Sequence, residues 1–231
     1  MRLAIMQPYI FPYIGYYQLI HAADKFVIYD DVNFINRGWI NRNNLLVNGK
    51  AWLFSVPLKE ASQNRLIGDI EIADAEWGRK FLKTIEQAYK KSPFYSNVLE
   101  LISSVVLKPT ATISELTRNS LTAVSEYIGL SASFVNSSSI YDNQALKAQE
   151  RILDICIKEK ADHYINPIGG REIYSKELFD NSGIRLNFIK TGNVRYEQFK
   201  NEFVPNLSII DVLMFNDKKD IRQMLDLYEL V

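Results

Sequence analysis

The chain has 231 residues, 47% of them hydrophobic and 12% aromatic, enough apolar material for a sizeable core in one large domain. Its 27 Lys and Arg balance 27 Asp and Glu, so the basic excess by which proteins neutralise nucleic-acid phosphates is missing. A single cysteine, Cys156, excludes an internal disulfide and a cysteine-based metal cluster, and two histidines, His21 and His163, fall short of a zinc set. No metal site is expected.

Met1-Arg2-Leu3-Ala4-Ile5 runs directly into a strand rather than a signal-peptide pattern, and no window reaches the ~18 apolar residues of a membrane span. The expectation is a cytoplasmic protein with no membrane insertion and no nucleic-acid partner. Leu3 to Met6 reads as a core strand stopped by Pro8, Tyr16 to Ala23 as a helix, and Lys25 to Tyr29 as a second strand ending at Asp30-Asp31. Asn48-Gly49 between two apolar runs predicts a β-hairpin near 45–58, because these residues tolerate the positive φ angles of a type I′ turn.

The middle of the chain is helical. Trp77, Phe81, Ile85 and Ala88 recur at one-turn spacing until Ser92-Pro93, and Thr112-Ile113-Ser114-Glu115 fits a capping box for a helix ending near Gly129. Ala132 to Asn136 reads as a strand, about Asn143 to Lys160 as a helix, and His163-Tyr164-Ile165 as a strand. Glu172 to Phe179 reads as a helix, Arg185 to Ile189 as a strand, and Leu207 to Phe215 and Asp220 to Leu230 as helices. Alternating elements of this kind predict a mainly parallel sheet flanked by helices. Residues 1–231 are expected to form a single α/β domain, with 77–130 as a possible helical sub-lobe.

Four segments carry the chemistry. Gln7 to Tyr17 follows the first strand and opens the first helix, the junction where open α/β sheets bind ligands. Gln7, Tyr9, Tyr13 and Tyr16 are its candidates, against the alternative of a rigid Pro-aromatic turn that only packs. Asp30 and Asp31 follow the second strand. Side chains alternate along extended backbone, so Asp30 is expected to face the cleft as a base and Asp31 to cap or contact substrate; a solvated turn is the plainer use of Asp-Asp. The third segment, Asn33 to Asn44, offers Arg37 and Arg42 as forked donors for phosphate oxygens. Its Asn41 and Asn43 amides can read hydroxyls, and the Trp39 face suits a ring. A self-bonded polar loop is the alternative. Fourth is Asn166-Pro167-Ile168-Gly169-Gly170, where Asn166, Gly169 and Gly170 allow close backbone approach; His163 is a further candidate acid or base, or a buried structural histidine.

Gln7-Pro8-Tyr9, Pro12-Tyr13-Ile14-Gly15-Tyr16, Asp30-Asp31-Val32-Asn33-Phe34 and Arg37 to Asn43 resemble the WbqC-like family. Tyr164-Ile165-Asn166, Gly169-Gly170, Gly183-Ile184 and Leu207-Ser208-Ile209-Ile210-Asp211 continue the resemblance over nearly the whole chain. It implies a bacterial protein from O-antigen or capsule gene clusters and supplies no catalytic residues. Tyr13-Ile14-Gly15-Tyr16 also has the spacing of the His-x-Gly-His signature of nucleotidylyltransferases, which favours a Rossmann-like sheet. Tyrosine at both histidine positions counts against nucleotidyl transfer.

Together these readings lead to a transferase that forms an amide on an amino sugar carried by a nucleotide. Asp30 or His163 would be the base, with Gln7, Asn41 and backbone N–H groups as carbonyl donors. The acyl or aminoacyl donor stays open among a thioester carrier, an aminoacyl carrier and an ATP-activated acid, which leaves room for an acyl-carrier partner. A non-catalytic nucleotide-sugar-binding or scaffold subunit is the alternative.

Overall fold

The computed structural model describes residues 1–200 and 202–231. In chain order it contains β1 (Arg2–Met6), α1 (Ile14–Ala22), β2 (Lys25–Ile28), β3 (Arg42–Val47) and β4 (Lys50–Ser55). Helices α2 (Trp77–Tyr89), α3 (Tyr95–Val106) and α4 (Ile113–Ile128) follow, then β5 (Ser133–Val135), α5 (Ala148–Lys158) and β6 (His163–Pro167). The chain closes with α6 (Lys176–Asp180), β7 (Arg185–Thr191), α7 (Ile209–Phe215), α8 (Lys218–Leu225) and β8 (Tyr228–Leu230).

Six strands form one sheet in the order β5-β2-β1-β6-β7-β8, parallel except for β8, while β3 and β4 pair only with each other. The mainly parallel, helix-flanked α/β fold read from the sequence is therefore present. Alternation along the strands sorts residues onto two faces. Leu3, Ile5, Val27, Tyr164, Leu186 and Phe188 pack with Ile152, Ile155 and Cys156 of α5 and Phe179 of α6. Ala4, Phe26, Ile28, Ile165 and Ile189 face the other way, into a larger cluster with α1, α4, α7, α8 and the hairpin. Buried on both faces, these strands read as apolar runs rather than as alternating ones.

The hairpin turn has φ of 51° at Asn48 and 73° at Gly49, as the Asn-Gly signal requires. Phe54 of β4 lies 4.6 Å from Phe81 of α2, ring centre to ring centre, and the Trp77 indole donates to the Ser55 carbonyl at 2.8 Å. At α4, the Thr112 hydroxyl accepts from Glu115 N, whereas the Glu115 carboxylate reaches Ala111 N, and Gly129 closes the helix at φ 75°.

Four elements depart from expectation, the first being the helix expected over Glu172 to Phe179, which is shortened to Lys176–Asp180 and capped by Ser175. The helix expected to start near Asn143 starts at Ala148, because Asn143 turns inward and binds Arg151 and Asp154. Helix α3 forms where no separate element was drawn, its Val98, Ile102 and Val105 buried at helical spacing. The last helix stops at Leu225, and Tyr228–Leu230 becomes the strand β8. Without β8, the outer backbone groups of β7 would be an open sheet edge; Phe188 and Val231 exchange both N–H···O bonds there, at 2.8 and 2.9 Å.

Candidate functional site

Taken in chain order, the parallel strands β1, β2, β5, β6 and β7 stand third-second-first-fourth-fifth across the sheet. The order reverses between β1 and β6, and doubly wound sheets bind ligands outside the carboxyl ends at such a reversal. Met6 pairs with Ile28 at the last rung between β1 and β2, so Gln7 and Asp30 both lie just beyond the same edge. The segments after β6 (Ile168 to Gly170) and after β7 (Gly192 to Arg195) leave the sheet at that edge too.

The aromatic loop after β1 is held rigid. Phe11 has φ of 40°, and its carbonyl accepts from Asn43 Nδ2 at 2.6 Å and Ser208 Oγ at 2.7 Å. A left-handed bulky residue is costly, and these two buried donors over-determine it. Tyr16 is buried, donates to the Gln7 carbonyl at 2.7 Å and packs its ring 5.5 Å from Phe26. Tyr16 and Asn43 thus shape the loop from behind and are not open to a ligand.

Half-buried Tyr9 lies 6.1 Å from the Trp39 ring, which is 48% exposed. Burial raises the Tyr9 phenol, the nearby Tyr13 phenol raises it further, and Arg42 opposes both. Tyr13 is raised by burial, with the Thr191 hydroxyl opposing. A Cβ on Gly15 would collide with the Tyr13 ring and the Thr191 hydroxyl, so a glycine lets α1 begin against both. Trp39 and Tyr9 are thus neighbours in the loops beyond β2 and β1, and Tyr13 lies with Thr191 against the start of α1.

The Asn–Arg segment divides. Arg42 donates to the Gly38 carbonyl at 2.8 Å and to the Arg37 carbonyl, and its guanidinium lies 5.5 Å from the Trp39 ring centre. Asn41 donates to Val56 O at 2.9 Å. Both side chains brace the loop, as the alternative of a self-bonded polar loop had it. Arg37, at φ 60°, is exposed and ion-pairs with nothing among the described residues. Of the candidates Arg37, Trp39, Asn41, Arg42 and Asn43, Arg37 and Trp39 are the exposed ones.

Asp30 and Asp31 share neither a cleft nor a solvated turn; both are buried. The Asp30 carboxylate accepts from Ser114 Oγ at 2.5 Å and Ser137 Oγ at 2.6 Å. Asp31 pairs with buried Arg151 and accepts from Ser138 Oγ and, at 2.9 Å, from Gln144 Nε2. Buried and accepting from one hydroxyl at each oxygen, Asp30 clamps α4 to the segment after β5. Charged groups placed this deep persist because each is paired or hydrogen-bonded.

His163 sits at the wrong end for its expected role. It opens β6 and pairs with Arg2 at the first rung of β1, the amino edge of the sheet. Its ring bonds Asn187 at 3.0 Å, and burial lowers its pKa below the ordinary histidine value. Asn166 does lie at the carboxyl edge, but its amide donates to Tyr164 Oη at 2.6 Å and a Cβ on Gly170 would collide with it. Of its two glycines, Gly169 faces open space. Cys156 is buried, its thiol pushed up to about 12, which leaves it protonated and inert.

Two features were not drawn from the sequence. Beside Tyr13 a cavity of about 280 Å³ is lined by Tyr13, Thr191, Asn193, Arg195, Tyr196 and Phe203, among others. Behind it, fully buried Asp211 of α7 accepts from Tyr196 Oη at 2.7 Å, Tyr89 Oη at 2.9 Å and Gln198 Nε2 at 2.6 Å. Burial raises the Asp211 carboxyl above its ordinary value, and the three donors oppose that. Leu207 to Asp211 stood out as a sequence motif, but Tyr89 and Tyr196 carry no signal of a shared partner more than a hundred residues apart.

The order of the sheet, reversed between β1 and β6 and covered by helices on both faces, defines a doubly wound α/β protein. The chain belongs to the WbqC-like protein family, whose profile matches residues 7–223. It is 28% identical over 220 residues to the uncharacterized protein Rv1507c of Mycobacterium tuberculosis (strain ATCC 25618 / H37Rv), an alignment that covers 93% of each chain. No solved structure matches. Among the described residues, no helix is long and apolar enough to cross a membrane, and no group of three or more His, Cys, Asp or Glu is placed to hold a metal ion.

Proposed function

We propose that the protein is a transferase of surface-polysaccharide biosynthesis that forms an amide on an amino sugar carried by a nucleotide, with the nucleotide sugar lying along the carboxyl edge. The observation that supports this reading is the placement of Tyr9, Tyr13 and Trp39 in loops at or beside the carboxyl edge, with a cavity lined by Tyr13, Thr191 and Arg195 among others. Exposed aromatic faces stack on sugar or base rings, and the guanidinium groups of Arg37 and Arg195 suit pyrophosphate oxygens. Half-buried Gln7, just beyond β1, is available as an amide donor for a carbonyl oxyanion. The acyl group would come from a thioester, an aminoacyl carrier or an activated acid, and the protein would act in the cytoplasm.

A second reading, a nucleotide-sugar-binding subunit without catalysis, is favoured by one specific observation. Of the two nominated bases, Asp30 is tied to two hydroxyls and His163 stands at the opposite edge. One experiment separates the two. Isothermal titration with UDP-, dTDP- and GDP-linked amino sugars is followed by mass spectrometry of mixtures containing acyl thioesters, aminoacyl carriers or ATP with free acids. A product heavier by one acyl group supports the transferase, binding without any product supports the subunit, and no binding overturns both.

A further inference from the structure

We propose that the cavity beyond β7 is a phosphate subsite, with Arg195 as countercharge and the Tyr13 and Thr191 hydroxyls as donors. The inference rests on the reading above, in that the ligand it serves is a nucleotide sugar. Arg195 is the one charged residue among the lining side chains, and it has no ion-pair partner among the described residues. No carboxylate lines the space, so nothing in its wall competes with an anion for that guanidinium. Arg195 lies 5.6 Å from the Phe203 ring centre, which holds it at the rim without neutralising it.

Opposite it, Gly15 allows the Tyr13 ring and the Thr191 hydroxyl to close together over the start of α1. Asn193 and Asn206 add amides to the lining. The third wall is apolar: the Tyr196 and Phe203 rings meet edge to face at 5.2 Å, and the Tyr196 hydroxyl is turned away to Asp211. At about 280 Å³ the cavity stands at the small end of ligand sites and has room for the phosphate-bearing part of the ligand.

The test is isothermal titration of the full chain with inorganic pyrophosphate and uridine 5′-monophosphate, with uridine as the neutral control. Both anions should bind, uridine at least tenfold more weakly than its monophosphate, and added salt should weaken both anions. Arg195→Gln should weaken both by about ten- to a hundredfold, the scale of a lost hydrogen bond to a charged group. Lys90→Gln, in the separate groove beside the hairpin turn, should change nothing. Equal binding by the Arg195 variant, or equal loss from Lys90→Gln, overturns the subsite. If nucleotide amino sugars bind and react unchanged in Arg195→Gln, the subsite falls and the transferase reading stands. If the anions bind through Arg195 but no amino sugar is modified, the subsite stands and the transferase reading falls.

Discussion

Replacing Asp211 by leucine removes the acceptor shared by Tyr89, Tyr196 and Gln198, and the site is fully buried, so water cannot take its place. Each donor left unsatisfied costs about 1–3 kcal/mol, so three together cost about 3–9 kcal/mol. A whole domain holds only about 5–15 kcal/mol, and Asp211→Leu should therefore be marginally folded or unfolded. Asp211→Asn keeps the shape and an oxygen for Tyr196 and Gln198, while its amide faces the Tyr89 hydroxyl, which already accepts from Leu46 N at 2.7 Å. That variant loses one donor's partner and should cost about 1–3 kcal/mol.

The pH dependence has a defined sign. The folded pKa of Asp211 is raised by burial, so the folded state holds this proton more tightly than the unfolded state does. The associated stability is fully present below the unfolded value near 3.9 and is lost as pH rises through the folded value. Carboxylates such as Asp24 and Glu159, lowered in the fold, have the opposite slope, and subtracting the Asp211→Asn curve removes them. Urea unfolding of both proteins from pH 4 to 8 is the assay. The advantage of wild type over Asp211→Asn should shrink as pH rises. A constant or growing advantage, or a leucine variant as stable as wild type, refutes the account of Asp211 as a desolvated acceptor.

Other expectations follow from the same geometry. Arg37→Ala and Trp39→Ala should each weaken nucleotide-sugar binding by about 1–3 kcal/mol in titration calorimetry, with melting temperatures unchanged because both side chains are exposed. His163→Ala should leave nucleotide-sugar affinity and any turnover unaltered; a hundredfold loss of either would return it to the site. Arg151→Met breaks the buried pair with Asp31 and should cost about 3–5 kcal/mol in denaturant unfolding, whereas breaking the exposed Lys59–Glu71 pair should leave the unfolding midpoint unchanged.

Local signals in the sequence carried the fold a long way. Apolar runs marked β1, β2, β6 and β7, the Asn48-Gly49 turn fixed the hairpin, and Thr112 and Gly129 bounded α4, because each depends on neighbours a few residues apart. The same locality placed Gln7, Tyr9, Tyr13 and Trp39 correctly at or beside the carboxyl edge, since a loop that follows a parallel strand emerges there. Which polar side chains remain free at that edge was a tertiary matter. Asp30 meets Ser114 and Ser137 from 84 and 107 residues away, Asp31 meets Arg151 from 120 residues away, and Asp211 meets Tyr89 from 122. A buried carboxylate must find donors wherever packing brings them, and chain separation leaves no periodicity to read. His163 shows the same limit from the other side: its strand was legible, but only pairing with Arg2 in β1 revealed which end of the sheet it occupies.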